Sequence, residues 1–375
     1  MKKAGFAASL ILLSCMSFAQ KADSISSDSL DVMIGQMIIT GIGDFDQLNP
    51  REEIFKSIRD GKVGGVILFE KNLTPYNTEK SLQEIISYAQ KQSKAPLFVS
   101  IDEEGGRVNR LKTKYGFPKT VTAAYLGNLD NPDSTTFYAE QSAAILYRLG
   151  VNMNFAPSVD VNINPENPVI GKIGRSFSAD PMEVVQHAGL FIDAHDLFGI
   201  ATVVKHFPGH GSSMADSHLG LADVSDTWRF EELLPYKALL DSGKVRAVMT
   251  AHIVNEVLDE RKLPATLSDK IIKNVLREFM GYDGVVISDD MQMKAISAQY
   301  GLKEAIRMAI NADVDILLFA NNVPDYELIK PEEIHTIIRD FVKKGDISVA
   351  RISKSYQRIM KLKEEMGLLR NITSD

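Results

Sequence analysis

The sequence predicts an α/β fold, a (β/α)8 TIM barrel in a single domain. Eight short apolar runs lie along the 375 residues, each with the length and composition of a buried parallel strand. Helical patterns with readable ends separate these runs, and neither a repeat nor a Gly/Ser-rich linker divides the chain. A doubly wound open sheet is the alternative that the same alternation allows.

The elements can be read in order from their apolar runs and capping residues. The predicted strands are 37–40, 65–69, 96–101, 151–156, 201–205, 246–251, 284–288 and 314–319. Asp180 and Pro181 supply an N-cap and a first-turn proline for a helix that ends at Gly199. The helices predicted after it cover 231–242, 268–280, 331–345 and 349–369. We expect the last of them to close over the barrel.

Composition narrows the class of protein. With 45% hydrophobic and 24% charged residues, the chain can bury a large core. The net charge is −7 and no basic stretch offers a track for phosphates, which argues against a nucleic-acid partner. A single cysteine excludes an internal disulfide framework and a metal site made of several thiolates.

The N-terminal segment resembles an export signal. Lys2 and Lys3 precede an apolar run that ends at a small-x-small pattern before Gln20, which predicts a signal peptide over 1–19. The competing interpretation is a lipoprotein signal ending at Cys15. In either case we expect an exported protein, periplasmic or secreted, which contacts a membrane only if Cys15 is lipidated. The barrel domain is expected to cover 25–370.

Polar side chains are concentrated in one loop, after the fifth predicted strand. Three of the seven histidines lie within fourteen residues together with a lysine and an aspartate, in the order Lys205, His206, His210, Asp216 and His218. A strand that ends in a loop of titratable side chains is where α/β barrels place their chemistry. The sequence therefore indicates an enzyme.

Four other predicted strands also end in titratable residues. Five strands would thus deliver such groups to one face of the barrel, as an active site requires. Among these residues Glu103, Glu104 and Asp290 are expected to be solvated loop charges. The other four strand ends carry Asp102 to Arg110, Asp160 to Arg175, His252, and Asp289 with Asp290.

Four motifs follow one another along the chain: Asp102-Glu-Glu-Gly-Gly-Arg-Val-x-Arg110, Gly174-Arg-Ser-Phe177, Lys205-His-Phe-Pro-Gly-His-Gly-x4-Asp-Ser-His218 and Val286-Ile-Ser-Asp-Asp-Met291. In this order they resemble glycoside hydrolase family 3, in particular its single-domain β-N-acetylglucosaminidase branch. Members of that family with β-glucosidase activity usually carry a second domain that supplies a glutamate, which we do not expect in a chain of this length.

The resemblance implies the catalytic residues of a retaining exo-β-N-acetylglucosaminidase. Asp289 would be the nucleophile of a covalent glycosyl–enzyme intermediate. Because neighbouring residues of a strand face opposite sides, Asp290 would not reach the same sugar and would pair with a cation. His218 would be the general acid/base, oriented by Asp216, since an imidazole can both give and take a proton near neutral pH.

The resemblance also implies how the sugar is bound. Five residues would hold a terminal N-acetylglucosamine, the carboxylate accepting from sugar hydroxyls and the cations donating to them. Neither metal nor organic cofactor is expected, and the chain is expected to act as a monomer on carbohydrate, such as muropeptide-derived sugars. The five residues are Asp102, Arg110, Arg175, Lys205 and His206.

Several alternatives stay open at this stage. One is a metal-dependent, deacetylase-like hydrolase with His206, His210, Asp216 and His218 as ligands, although Pro208 and Gly209 prevent a helix from presenting the first two together. Others are a catalytically inactive sugar-binding barrel, a family 3 glycosidase of other sugar specificity, and an enzyme that uses phosphate in place of water. The roles of His210 and His252 are undecided, and the remaining histidines of the barrel domain, on helix patterns, are expected to be ordinary core or surface residues: His187, His195 and His335.

Overall fold

Eight parallel strands close into a barrel in the computed structural model of the chain, which describes residues 27–217, 220–322 and 328–369. The barrel strands are β1 (Ile38–Gly41), β2 (Gly65–Leu68), β3 (Phe98–Ile101), β4 (Met153–Asn154), β5 (Ala201–Phe207), β7 (Ala247–Thr250), β9 (Val285–Asp290) and β10 (Ile316–Phe319). Around the barrel they follow the order β1-β10-β9-β7-β5-β4-β3-β2. The predicted (β/α)8 barrel is therefore confirmed.

All eight predicted strands are present, and their ends shift where loops join the sheet. β4 is shorter than predicted, while β5 and β9 each run two residues further at their carboxyl ends. A small separate sheet, β6 (Ala222–Asp223) with β8 (Ile253–Val254), forms among the described loops beyond β5 and β7. The predicted segment 1–19, with Cys15, lies outside the described residues.

The helices surround the barrel, and their ends follow the capping residues. Asp180 accepts a hydrogen bond from the backbone N–H of Met182 at 2.7 Å, as an N-cap does. Two predictions are corrected in detail: 268–280 forms a π-helix over Lys270–Phe279, and 231–242 divides into a 3₁₀ turn over Phe230–Leu233 and an α-helix over Leu234–Asp241. Within the described ranges, no helix combines the length and apolar character needed to cross a membrane.

Eleven α-helices lie within the described ranges. They are α1 (Ser27–Gln36), α2 (Glu53–Arg59), α3 (Thr78–Gln92), α4 (Ala123–Leu129), α5 (Pro132–Leu149), α6 (Pro181–Asp196), α7 (Leu234–Asp241), α8 (Lys294–Tyr300), α9 (Leu302–Asn311), α10 (Pro331–Lys344) and α11 (Val349–Glu365). Their apolar faces pack on the strands, in which almost every residue is buried. The polar chemistry is therefore confined to the two ends of the barrel.

The last helix, α11, closes the amino-terminal end of the barrel. Lys363 is fully buried there and donates hydrogen bonds to the side chain of Gln36 and to the carbonyls of Gly64 and Pro96, at 2.5 to 3.1 Å. These three acceptors precede β1, β2 and β3. Burial lowers the pKa of Lys363 to about 7. α11 thus closes over the barrel as predicted, at the end opposite the carboxyl ends of the strands.

A buried carboxylate, Asp315, joins α11 to the start of β10. Its side chain, fully buried, accepts from Arg277 at 2.8 Å, Arg351 at 2.9 Å and Arg358 at 3.1 Å. It also accepts from the backbone N–H of Val286 at 3.0 Å, just inside β9. Charged groups in a low-dielectric interior are tolerated only when they are paired in this way.

We expect Asp315→Ala to reduce the free energy of unfolding by about 3–5 kcal/mol, because the three buried guanidinium groups lose one of the two buried carboxylates that they share, the other being Asp313. Asp283→Ala is the matched control, since Asp283 also pairs with Arg358 but its side chain is 79% exposed. We expect that control to lose less than about 1 kcal/mol. Urea unfolding measures both, and equal losses would contradict the structural role of Asp315.

Candidate active site

A cleft of about 430 Å³ opens at the carboxyl ends of the barrel strands. Seven of the eight predicted site residues line it, although they come from distant parts of the chain. His218, the eighth, lies outside the described residues. The seven are Asp102, Arg110, Arg175, Lys205, His206, Asp216 and Asp289.

An ion pair between Asp102 and Lys205 lies in this cleft. The Lys205 Nζ donates to Asp102 Oδ1 at 2.9 Å, and Arg110 Nη2 donates to Oδ2 of the same carboxylate at 3.2 Å. Burial opposes ionisation of Asp102, but Lys205 and Arg110 outweigh it and hold the pKa of Asp102 below its usual range. Asp102 is therefore ionised and can accept hydrogen bonds from a ligand.

Glu104 belongs to the same network, so the expectation of a solvated charge is wrong. Its side chain is 6% exposed and binds Arg175 through two hydrogen bonds, of 2.9 and 2.7 Å, and Lys205 at 2.6 Å. Burial alone would raise its pKa, but Arg175 and Lys205 hold the pKa of Glu104 far below its usual range. Arg175 lies 71 positions after Glu104 along the chain, so the sequence around Glu104 gives no sign of this contact.

Glu103 is also buried, again contrary to expectation. Its two carboxylate oxygens accept from Asn109 Nδ2 at 2.5 Å and from the backbone N–H groups of Arg110 and Leu111 at 2.9 and 3.1 Å. Burial raises the pKa of Glu103 to about 7. Glu103 therefore folds the loop after β3 back on itself and places Arg110 beside Asp102.

Asp160 orients His206, a contact that the sequence analysis did not assign. The His206 Nδ1 lies 2.6 Å from Asp160 Oδ2, and Arg175 Nη2 lies 3.0 Å from His206 Nε2. Since a guanidinium can only donate, Nε2 must accept, and the ring proton lies on Nδ1. Asp160 thus fixes the tautomer of His206, and His206 in turn helps to hold Arg175.

Asp289 and Asp290 end β9 and differ in their contacts. Both line the cleft, and Asp289 Oδ1 accepts from the backbone N–H of Asp290 at 2.8 Å. Asp290 Oδ1 accepts from the backbone N–H groups of Gln292 and Ala320, each at 3.1 Å. Asp290 is buried, so the expectation that it is a solvated charge is wrong. Its predicted pairing with a cation stays a prediction.

The loop after β5 carries Asp216 to the cleft. His210, buried at the base of this loop, lies 3.1 Å through Nε2 from the Ser217 hydroxyl, which ties the Asp216–Ser217 segment back towards the barrel. Burial lowers the pKa of His210 to about 4, so this ring is neutral. The predicted Asp216–His218 pair stays a prediction because His218 is outside the described residues.

The other histidines belong to the interior. His252 is fully buried beneath Asp290, with Nε2 2.9 Å from the Asp290 carbonyl oxygen and Nδ1 2.8 Å from Thr266 Oγ1. The three histidines on helices are buried as well: His187, His195 and His335. All three therefore fall within the core-or-surface expectation.

The geometry of the histidine pair does not favour a shared metal. The rings of His206 and His210 are 5.9 Å apart and nearly perpendicular, and one nitrogen of each ring already contacts Asp160 or Ser217. Across the part of the chain that is described, no group of three or more His, Cys, Asp or Glu side chains is arranged to hold a metal ion.

Apolar side chains from the strand ends complete the walls of the cleft. Sequence analysis placed them in buried strands or loops and gave them no role at the site. Their spacing along the chain is that of core residues, so no local sequence signal could have identified them as part of the cleft. They include Phe69, Val108, Phe155, Ile173, Met249, Met293 and Leu318.

Residues 29–362 match the sequence pattern of the glycosyl hydrolase family 3 N terminal domain. The chain belongs to this family. A relative named beta-hexosaminidase A, from Pseudoalteromonas piscicida, is 34% identical over 338 residues, which are 84% of this chain and 55% of that protein. A beta-hexosaminidase from Tolumonas auensis is 36% identical over 270 residues, or 71% of this chain and 78% of the relative. The predicted resemblance to family 3 is thus confirmed.

Solved structures of two similar proteins have the same barrel. A β-N-acetylglucosaminidase from Paenibacillus sp. str. FPU-7 superposes with a TM-score of 0.81 at 35% identity, over 90% of this chain and 63% of the other. A β-N-acetylhexosaminidase from Beutenbergia cavernae does so with a TM-score of 0.76 at 27% identity, over 90% and 98%. The family 3 chain therefore spans about half to two thirds of some relatives and nearly all of others.

We expect His206 to be the neutral Nδ1–H tautomer, because Arg175 requires an acceptor at Nε2. Long-range ¹H–¹⁵N NMR on histidine-labelled protein would detect it, with the signals assigned by their loss in His206→Gln. His335 is the internal control, since its Nε2 lies 2.9 Å from the Asp31 carbonyl and must carry the proton. An Nε2–H tautomer or a doubly protonated ring at His206 would contradict the arrangement.

Proposed function

We propose that the chain is a retaining exo-β-N-acetylglucosaminidase, a β-N-acetylhexosaminidase that removes terminal β-linked N-acetylglucosamine. The observation that carries the proposal is the convergence of Asp289, Asp216 and the Asp102–Lys205–Arg175 network in one cleft. Membership in family 3 and relatives named beta-hexosaminidase support the choice of sugar.

In the first step, a carboxylate oxygen of Asp289 attacks the anomeric carbon while the bond to the leaving oxygen breaks. His218 gives its proton to that oxygen, so the aglycone departs as an alcohol and the sugar is bound covalently to Asp289. His218 then takes a proton from a water molecule. The water oxygen attacks the anomeric carbon on the face that the aglycone left, and the bond from that carbon to Asp289 breaks. Asp216 would stabilise His218 as an imidazolium before the first step and again after the second, whereas the ring is neutral while the sugar is bound to Asp289.

The charged network suits recognition of a terminal sugar ring. Asp102 can accept from hydroxyl groups, while Lys205 and Arg175 retain N–H groups that can donate to them. Their ion pairs hold these side chains in place before a sugar arrives, so little conformational entropy is lost on binding. This network lies in the cleft at the carboxyl ends of the strands, where it would meet the terminal ring of a sugar chain.

Peptidoglycan fragments, with N-acetylglucosamine joined to a muramic acid unit, are the substrates we propose. The resemblance to the β-N-acetylglucosaminidase branch of family 3 supports them, and the export signal suggested for 1–19 supports action outside the cytoplasm, with a lipid anchor if Cys15 is modified. Chitooligosaccharides and host glycans contain the same terminal sugar and would meet the same side chains. Phosphate as acceptor and a metal-dependent hydrolysis are the competing outcomes of the assays.

Purified protein should release nitrophenol from the β-N-acetylglucosaminide much faster than from the β-glucoside. Turnover should persist in EDTA, because every proposed step uses side chains alone. Faster turnover of the β-glucoside would replace the sugar assignment while keeping the family. Loss of turnover in EDTA would favour a metal-dependent hydrolase, and no turnover on either substrate would favour a sugar-binding barrel. Repeating the assay with added phosphate identifies a phosphorylase by the sugar phosphate it forms.

Asp289→Ala should lower kcat/KM by at least about 10⁴-fold on every substrate, since no covalent intermediate can form. His218→Ala should lower it by about 10²–10⁴-fold for substrates with a poor leaving group and much less for activated aryl substrates. Both variants are compared with wild type across a series of aryl β-N-acetylglucosaminides. Equal losses across that series for His218→Ala would count against its role as general acid.

A further inference from the structure

Glu232 lies directly behind the loop that leads from β5 to Asp216. It is fully buried, in the 3₁₀ turn over Phe230–Leu233, and belongs to none of the four family motifs. Its Oε2 accepts hydrogen bonds from the backbone N–H groups of Gly211 and Ser212, at 2.8 and 3.3 Å. One carboxylate therefore binds two consecutive N–H groups at the base of the loop.

Other polar groups hold the same short segment from its remaining sides. Asp160 Oδ1 accepts from the backbone N–H of His210 at 2.8 Å, and Asn167 Nδ2 donates to the His210 carbonyl at 2.7 Å. Gly211 packs closely against the backbone of Val161, since a Cβ atom added at residue 211 would lie 1.7 Å from the Val161 carbonyl oxygen. Residues 210–212, which we call the loop base, are thus fixed on all sides by buried contacts.

The loop base determines where Asp216 lies. Met214 is exposed, whereas Ser213 is buried and its hydroxyl donates to the Ala215 carbonyl at 2.8 Å. His210 then binds Ser217 at 3.1 Å, which returns the segment to the base. The four residues between Ser212 and Ser217 form a short arch with both ends attached to the loop base, so a shift of the base moves Asp216.

Packing gives no reason for a carboxylate at this position. Among the described residues Glu232 forms no ion pair with a lysine, arginine or histidine, and burial raises its pKa to about 7. Its neighbours in the turn and helix, Leu233 and Tyr236, are buried in the core. An apolar side chain would avoid the desolvation cost, so the two N–H groups of the loop base are what the carboxylate is there to bind.

We propose that Glu232 is a positioning residue for the general acid/base: by holding the loop base, it sets the position of Asp216, the residue proposed to orient His218. This inference rests on the proposed function, in which His218 transfers the proton. It assigns Glu232 no contact with the sugar, so its effect should fall on proton transfer and leave sugar binding unchanged.

The test uses Glu232→Ala and Glu232→Gln, with Glu231→Gln as the matched control because Glu231 is the exposed neighbour in the same turn. The readout is kcat/KM for aryl β-N-acetylglucosaminides with good and poor leaving groups, since kcat/KM reports the steps up to formation of the covalent intermediate. For Glu232→Ala we expect a loss of about 100-fold with poor leaving groups, as for a misplaced catalytic group, and little change with good ones.

Two further measurements separate positioning from general damage. Inhibition by free N-acetylglucosamine should match wild type, and Glu232→Gln should recover most of the loss because its amide oxygen can still accept both N–H groups. Glu232→Asp, which withdraws the carboxylate by one methylene, should show the same dependence on leaving group to a smaller degree. If Glu232→Ala does not fold, Glu232→Asp takes its place in the experiment.

His218→Ala, measured in parallel, distinguishes the two ways to fail. If His218→Ala shows no dependence on leaving group, the proposed function is wrong at its proton transfer. If His218→Ala shows that dependence but folded Glu232→Ala or Glu232→Asp loses nothing, or loses equally on all substrates, the role of Glu232 alone is overturned. Weaker inhibition by N-acetylglucosamine in the Glu232 variants would likewise overturn it.

Discussion

The side chain of Lys205, 2% exposed between Asp102 and Glu104, is the constraint on which the cleft depends. A buried ammonium must be compensated, so both carboxylates have to be in place for the chain to fold with this lysine inside. Arg175 then forms a further ion pair with Glu104, and Arg110 forms one with Asp102. The binding surface is therefore assembled as a condition of folding, before any ligand arrives.

Buried ion pairs hold both ends of the barrel. At the amino end, Asp313 and Asp315 face Arg277, Arg351 and Arg358, and the contacts join α11 to the sheet. At the carboxyl end, the ion pairs of Lys205 with its two carboxylates lie at the cleft. The same kind of interaction therefore attaches the closing helix at one end and fixes the polar side chains at the other.

Sequence analysis predicted the barrel from local order along the chain, whereas the seven described site residues came from motifs that resemble family 3. Apolar runs mark the strands, and the residues at the carboxyl ends of parallel barrel strands must all lie at one end of the barrel. Glu104 and Asp160 were not predicted to bind Arg175 and His206, because those partners come from other strands. Consecutive charged residues, such as Asp102 to Glu104, are usually exposed to solvent. Their burial can be recognised only when their partners from other parts of the chain are known.

Asp160 contacts two parts of the site at once: one oxygen accepts from the backbone of His210 at the loop base, and the other binds the His206 ring that holds Arg175. The carboxylate of Asp160 therefore contacts both the wall of the cleft and the loop base, from which the segment to Asp216 starts. Affinity and turnover cannot be adjusted separately through this residue, so divergence in specificity within this architecture must come from positions elsewhere in the cleft.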